Sequence, residues 1–306
     1  MAFDRLEAMR AFCRIVEVGS FTRAAEALNV AKTTISGQIQ GLESLLGVKL
    51  LHRTTRRVTP TTDGAAYYER ARAVLDDLDE LEASVAQSRS VARGRVRVEM
   101  PSAVATCLVI PSLPEFTEQH PQIQLDIGCS ERVVDLVQEG IDCAFRGGLV
   151  ADQDLVCRPV GLMRFCLCAS PVYLMNAARI LKPDDLLHQR YLGFTFPGSG
   201  KQMIPILRRG DDSFRIEQMP AMQFNSGGAY IAAGLAGLGI VSVPRAEASP
   251  HFQSETLVEV LPDWEMDGMP ISLVYPPTRH LSARVRAFAE WGAALMANDP
   301  LWTTKR

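Results

Sequence analysis

The stretch TTISGQIQGLE, Thr33 to Glu43, decides the fold of the first part of the chain. Its apolar residues Ile35, Ile39 and Leu42 are four and three apart, the spacing of one buried stripe on a helix. Around them stand Thr33, Thr34, Ser36, Gly37, Gln38, Gln40 and Gly41, all small or polar. Two glycines inside one helix cost about 1 kcal/mol each relative to alanine. A helix that only had to stay soluble would carry glutamate and lysine instead. The outward face is therefore shaped to meet another surface.

The flanking residues supply the setting. Leu6, Met9, Cys13 and Val16 step by three, four and three, with Phe12 and Ile15 widening the face, and predict an amphipathic helix that Gly19 ends. Ser20 stands where an N-cap belongs, before a short second helix, FTRAAEAL, burying Phe21, Ala24, Ala25 and Leu28. Asn29 and Val30 turn the chain into the third helix, which runs to about Leu46. This order is that of a helix-turn-helix. After Gly47, in VKLLHRTTRRVTPTTDG, Val48, Leu50 and Leu51 return as a strand. Arg53, Arg56 and Arg57 crowd the next loop, and Val58 and Pro60 close it. A hairpin bearing arginines beside such a helix is a wing that holds phosphates or the minor groove. Hydroxyl and amide side chains suit base edges in the major groove, and glycine lets the backbone come close.

From Asp63 the period changes. Tyr67, Ala71, Val74, Leu78, Leu81 and Val85 form a seven-residue repeat, the seam of a dimerisation helix. Tyr68 and Leu75 make a shorter stripe that predicts packing back on the first domain. SRSVARG, Ser88 to Gly94, reads as a hinge. The expected organisation is a winged helix-turn-helix over 1–61, a linker helix over 62–91 and an effector-binding domain over 92–306.

Charge follows this division. Residues 1–60 hold nine Lys/Arg against five Asp/Glu, 61–91 three against seven, and the remainder twenty against twenty-three, for a total of −3. A basic first segment on an acidic chain predicts a polyanionic partner, double-stranded DNA, confined to the N-terminal part. The 306 residues are 47% hydrophobic and 22% charged, the balance of a globular protein. No run of 18 uncharged apolar residues predicts a membrane span. The opening residues, with Asp4 and Glu7, do not read as a secretory signal, so a cytoplasmic protein is expected. Seven cysteines without a pair of CxxC motifs predict reduced thiols. Cys166 and Cys168, alternating in one strand, are expected on opposite faces.

Beyond Arg95 strands alternate with helices. RVRVEM, IQLDIG, DCAFRGG, FCLCAS, YLGFTF, IVSVP and ISLVYPP predict strands, and 104–119, RVVDLVQEG, 171–176, 228–237 and 282–297 predict helices. Such alternation predicts parallel sheets covered by helices, with ligands at strand C-termini near helix N-termini. Ser102, Arg146 and NSGG, Asn225 to Gly228, occupy such places.

VEVGSFTRAAEALNVAKTTISGQIQGLESLLGVKLLHRTTRRVTPTTDG resembles the N-terminal domain of LysR-type transcriptional regulators, in the branch whose wing reads Arg-Thr-Thr-Arg-Arg. The likeness extends over nearly the whole chain, and the C-terminal half is also similar to periplasmic solute-binding proteins. The resemblance implies an N-terminal all-α winged helix-turn-helix with a long linker helix, then an α/β effector domain of two subdomains. It puts base contacts on Lys32, Thr33, Ser36 and Gly37, within the outward polar face that also carries Thr34, Gln38 and Gln40. It puts wing contacts on Arg53, Arg56 and Arg57. It sets Ser102, Ser130, Arg146, Phe196 and Ser226 around a cleft between the subdomains. Arg146 and the helix N-termini there favour a small organic anion as effector. It further implies a homodimer or homotetramer that works with RNA polymerase, with no cofactor and no metal. In three places the sequence departs from the family pattern. Ala31 stands where a capping serine is common, Lys32 where glutamine is frequent, and Gly37 where arginine is typical.

Other functions find less support. The five histidines are scattered, with no HxxxH or Cys/His cluster, and no Gly-rich phosphate loop opens a helix, so catalysis is not expected. A solute-binding protein would have no use for a basic first sixty residues. A redox-responsive regulator of the same fold is the remaining alternative, although Tyr191 to Ser226 contains no cysteine.

Overall fold

The computed structural model describes residues 3–53, 58–85, 92–150, 154–277 and 281–304. The chain forms two compact units, Met1–Val91 and Ala92–Arg306.

The first unit runs α1 (Arg5–Val18), α2 (Phe21–Leu28), α3 (Lys32–Leu46), β1 (Leu51–Arg53), β2 (Val58–Pro60) and α4 (Thr62–Val85). Asp4 caps α1 by accepting from the Leu6 and Glu7 amides, and Ser20 caps α2 by accepting from Arg23. Phe12, Ile15, Ala24, Ile35, Ile39 and Leu42 are wholly buried and form the core. β1 and β2 pair antiparallel, Leu51 opposite Pro60. The hydroxyl of Thr61 accepts from the Gly64 amide at 2.9 Å and donates to the Lys49 carbonyl at 2.7 Å, tying the start of α4 to the chain entering β1. At Gly64 a Cβ would stand 1.9 Å from the Leu50 carbonyl oxygen, so only glycine lets α4 approach β1 this closely.

α4 does not expose the whole predicted seam. Ala71 is buried in the domain core, and Tyr67 packs edge-on against Phe12 with ring centroids 5.5 Å apart. These two seam positions are absorbed by their own domain, because α1 supplies the apolar surface that a partner was expected to supply. Leu75 and Tyr68, the second stripe, pack on the same core. Further along, Val74 and Leu81 are exposed and Leu78 is half-buried. The side chain of Val85 lies outside the described residues.

The second unit is built on a five-stranded sheet in the order β4-β3-β5-β15-β6. Its strands are β3 (Gly94–Met100), β4 (Ile123–Cys129), β5 (Cys143–Gly147), β6 (Val156–Met163) and β15 (Met269–Tyr275). β3 is parallel to β4 and β5, but β15 runs antiparallel to both β5 and β6. The sheet is therefore mixed, where strand–helix alternation alone predicts a parallel one, because the last strand returns from the far end of the chain. α5 (Ser102–Val104) passes through a π turn (Ala105–Val109) into α6 (Ile110–Gln119), and α10 (Ala283–Asn298) covers the same core. Phe116, Phe288 and Trp302 are fully buried there.

A second set of sheets has its own buried clusters. β7 (Phe165–Ala169) lies between β12 (Val241–Pro244) and β13 (Val258–Val260), antiparallel to both. β8 (Leu192–Phe194) pairs parallel with β11 (Met222–Phe224). β9 (Ile206–Arg209) lies between β10 (Asp212–Arg215) and β14 (Glu265–Met266). The helices are α7 (Pro171–Asn176), α8 (Gly227–Leu235) and α9 (Arg245–Gln253). Cys166 and Cys168 are two residues apart in β7 and belong to one buried cluster. They share a face, contrary to the sequence reading, since residues i and i+2 of a strand point the same way.

RVVDLVQEG forms no helix. Asp135 instead accepts from the amides of Val137 and Gln138, and Arg132 pairs with Glu139 across a single turn. An aspartate bonding its own following backbone offers the chain an alternative to helix.

Glu43, the last residue of the opening stretch, is buried at the end of α3. Its carboxylate accepts from Lys49 Nζ at 2.7 Å and from the Leu50 and Leu51 amides at 3.0 and 3.4 Å. Burial pushes this carboxyl up, but the Lys49 bond and the two amides outweigh it and hold the group below the ordinary glutamate value. A depressed carboxyl adds stability that is complete above its unfolded pKa and is lost as pH falls through the folded one. Glu43→Ala leaves two β1-side amides without their acceptor and should cost about 2 kcal/mol. Denaturant unfolding of the variant checks this, and its loss of stability towards acid pH should be shallower than that of the parent.

Candidate functional site

The outward face of α3 is bare. Lys32, Thr33, Thr34, Gly37 and Gln40 are exposed, and Ser36 and Gln38 are half-buried beside the Ile35–Ile39 stripe. The two glycines have different causes. At Gly41 a Cβ would stand 2.4 Å from the ring of Phe3, so this glycine makes room for the N-terminal segment. At Gly37 a Cβ would meet nothing within 4 Å, so no packing inside the domain requires it. Ala31, at the N-cap position, provides no capping bond, and neither does Thr33 among the bonds of the first turn. The Thr34 and Ile35 amides donate to the Ala31 carbonyl at 3.0 and 3.3 Å, so an anion at this helix end would meet the Lys32 and Thr33 amides. Of the wing arginines, Arg56 and Arg57 and the side chain of Arg53 lie outside the described residues. The strands that carry their loop are formed.

The second unit holds a cavity of about 110 Å³, room for several waters or one small molecule. It is lined from both sets of sheets: by Glu99, Pro101 and Ala103, by the Ser130–Val134 segment, by Phe145 and Arg146, and across from them by Phe165, Phe194, Phe196, Tyr230 and Glu247. Of the five residues expected there, Ser130, Arg146 and Phe196 are on the wall. Ser102 and Ser226 are not. The amide of Ser102 is turned to Glu131 Oε1 at 3.3 Å. Ser226 is exposed, precedes α8 and makes no side-chain cap, while its neighbour Gly227 reaches the cavity.

Polar groups on the wall divide by charge. Arg146 gives one guanidinium N–H to the Val134 carbonyl, and its Nε is shut off from solvent with no partner. Arg132 is held by Glu139. Against these stand three carboxylates that sequence reasoning missed. Glu99 accepts from the Ser130 hydroxyl at 2.8 Å. Glu131 sits at the N-terminus of α5, and a Cβ on Gly227, at the start of α8, would lie 3.5 Å from it. The protein's own carboxylate thus occupies the helix-end position at which an external anion was expected. Glu247 comes from α9, a helix absent from the sequence reading because Pro244 and Pro250 in PRAEASP signal a loop. Burial first, and the charge of Glu131 second, push its carboxyl up to about 7. Among the described residues no three His, Cys, Asp or Glu side chains gather closely enough to hold a metal ion.

The cysteines are free thiols. Burial pushes Cys107, Cys129 and Cys143 up, and Cys168 is raised by its bond with Cys166 and by burial. Such shifts oppose formation of the reactive thiolate.

Comparison with known proteins decides the family. Residues 6–65 match the bacterial regulatory helix-turn-helix of the lysR family, and residues 89–297 match the LysR substrate binding domain. The chain belongs to the LysR family of transcriptional regulators. It is 37% identical to an HTH-type transcriptional repressor of Pseudomonas aeruginosa strain UCBPP-PA14, over 97% of this chain and 94% of that one. Among solved structures it resembles CrgA, a LysR-type regulator from Neisseria meningitidis, at 29% identity and a TM-score of 0.59, covering 94% of this chain and 97% of that one. The full-length Vibrio cholerae virulence activator AphB is similar at 26% identity and a TM-score of 0.58, covering 94% and 98%. As a LysR-type regulator the chain binds DNA through its helix-turn-helix and carries an effector-binding domain. No helix among the described residues is long and apolar enough to cross a membrane.

A carboxyl raised to about 7 keeps in the folded state, between about pH 4 and 7, a proton that the unfolded chain releases. The stability it contributes is complete below the unfolded pKa and is lost as pH rises through 7. Glu131 and the Cys107 thiol are the titratable neighbours of this carboxyl. Glu247→Gln should flatten the decline of Tm between pH 5 and 8 and raise Tm at pH 8, by roughly 2–4 °C per kcal/mol of repulsion removed. Thermal melts of both proteins across that range check it.

Proposed function

We propose that this LysR-type regulator reads operator DNA through α3 and changes its DNA complex when a small organic acid fills the cavity. The bare polar face of α3 carries the first half of this reading. Lys32, Thr33, Thr34, Ser36, Gly37, Gln38 and Gln40 stand outward while Ile35, Ile39 and Leu42 are wholly buried on the other side. Hydroxyls and amides on such a face fit base edges, and Arg53, Arg56 and Arg57 supply the phosphate contacts. The place of Arg146 on the cavity wall supports the second half, because its guanidinium can meet an anionic group of the effector with charge-assisted hydrogen bonds.

The protein acts as a cytoplasmic homodimer or homotetramer that binds promoter DNA and works on RNA polymerase, without catalysing a reaction. Two-fold assembly suits half-sites one helical turn apart. The exposed Val74 and Leu81, with Leu78 between them, form the apolar strip of α4 that a second copy would cover.

Binding of the full-length protein to a duplex from beside its own gene, over a salt series, tests the DNA reading. Thr33→Ala with Ser36→Ala should erase most of the preference over scrambled DNA. Arg56→Ala with Arg57→Ala should weaken binding to every sequence and reduce the salt slope by about 2. A double arginine variant with the parental slope would refute the wing assignment. Leu81→Asp changes a side chain exposed in the protomer, so folding should survive while sedimentation shifts towards monomer. An unshifted boundary would place the dimer contact elsewhere.

A further inference from the structure

The cavity is built to receive more than an acid. We propose that the effector is a zwitterion, an amino-acid-like molecule whose protonated amine faces Glu247 while its acidic group meets Arg146. This deepens the Arg146 reading above and rests on it.

The first observation is the balance of charge on the wall. Glu99, Glu131 and Glu247 contribute three carboxyls, and only Arg146 and the Glu139-bound Arg132 oppose them. A purely anionic ligand would add a further negative charge to a wall on which three carboxyls already face two guanidiniums. In a medium of low dielectric like charges cost several-fold more than in water. The second observation is the hydrogen-bond inventory. Glu99 is engaged by Ser130, and Glu131 by the Ser102 amide, but Glu247 has no hydrogen-bond donor among the described residues. Glu247 is half-buried on the cavity wall, so its carboxyl is an acceptor that a guest in the cavity can reach. The third is at the other pole, where Arg146, held through one N–H on the Val134 carbonyl, lines the cavity with its guanidinium. One wall therefore offers an acceptor and another a cation, and a molecule with an ammonium and a carboxylate meets both.

The apolar part of the wall agrees. Phe194 stands edge-on to Phe196 with centroids 5.5 Å apart, and Tyr230 lies 5.6 Å from Phe194. The Tyr230 hydroxyl is spent on the Leu192 carbonyl at 2.7 Å, so the residue offers its ring and not its oxygen. Aromatic faces beside carboxylates attract organic ammonium groups. A metal ion is the wrong cation here, because the three carboxyls do not gather at one point.

Calorimetric titration of the full-length protein at pH 7.5 with matched pairs tests the proposal: propionate against alanine, butyrate against 2-aminobutyrate, glutarate against glutamate. In each pair that binds, the aminated member should bind at least tenfold more tightly. Glu247→Gln, which keeps the volume and removes the charge, should bring that ratio towards one, whereas Arg146→Ala should weaken both members. Carboxylates that bind as well as or better than their amino counterparts to the parent protein overturn the zwitterion proposal and leave the Arg146 reading standing. Heat from neither member of any pair overturns both. The ratio in the parent protein decides the matter even where a variant fails to fold, and an amino preference undiminished in a folded Glu247→Gln protein overturns the role of Glu247.

Discussion

A reading helix is useful only if its bare face is held at a fixed angle to the wing beside it, and in this protein a single buried carboxylate makes that joint. Glu43 ends the stripe of α3 and accepts from Lys49, Leu50 and Leu51, the residues that lead into β1. From there the chain is constrained in sequence. β1 pairs with β2, Thr61 bonds back to Lys49, and Gly64 lets α4 lie against Leu50. The apolar stripe of α3 fixes which face is inside, but burial is non-directional and leaves the helix free to slide and tilt. The charged hydrogen bonds at its end are directional, and they convert a packed helix into an oriented one.

The effector unit meets the opposite problem. Its cavity must stay open, and the groups on its wall must remain unsatisfied enough to favour a guest. Unpaired polar groups away from water cost free energy, so a protein tolerates few of them, and those few define what the guest must bring. Here the wall sets the Arg146 guanidinium against the carboxyl of Glu247, which has no donor among the described residues. Most other polar side chains of the wall are already paired: Ser130 with Glu99, Arg132 with Glu139, Tyr230 with Leu192. Specificity in such a site comes from rejecting guests that leave the pair unmet, not only from attracting one that meets it.

The first unit was legible in the sequence because its signals are local. Caps at Asp4 and Ser20, the stripe of Ile35, Ile39 and Leu42, and the turn after Gly47 all act within a few residues. What the sequence did not separate there was the part of the α4 seam that its own domain covers. A heptad repeat states that a stripe is apolar, not what covers it, and α1 covers Tyr67 and Ala71 before any second chain can. In the second unit the strands with continuous apolar runs were readable, whereas β6, the β9–β10 hairpin and α9 were not. Helix α9 has a proline on either side of its first turns, and its stability comes from packing on β7 and β12, which no local pattern records. The cavity suffered most from this. Three of its five expected residues lie on the wall, but the resemblance that placed them says nothing of Glu131 and Glu247, whose meeting depends on a turn read as helix and on a helix absent from the sequence reading.

Gly37 shows how the same reasoning bears on DNA. Glycine in mid-helix costs stability, and nothing in the domain repays it, since a side chain there would enter open space. Gly41, one turn on, is different: it is fixed by the ring of Phe3. A position that is costly, exposed and unconstrained by packing is explained only by what approaches from outside. On the proposed reading, a glycine at that point leaves room for the α3 backbone to lie closer to the floor of the groove, with the short hydroxyls of Thr33 and Ser36 nearer the base edges. The same reading would bring the Lys32 and Thr33 amides near a phosphate, so that glycine in place of arginine trades one long-range cation for backbone and hydroxyl contacts of greater directional demand.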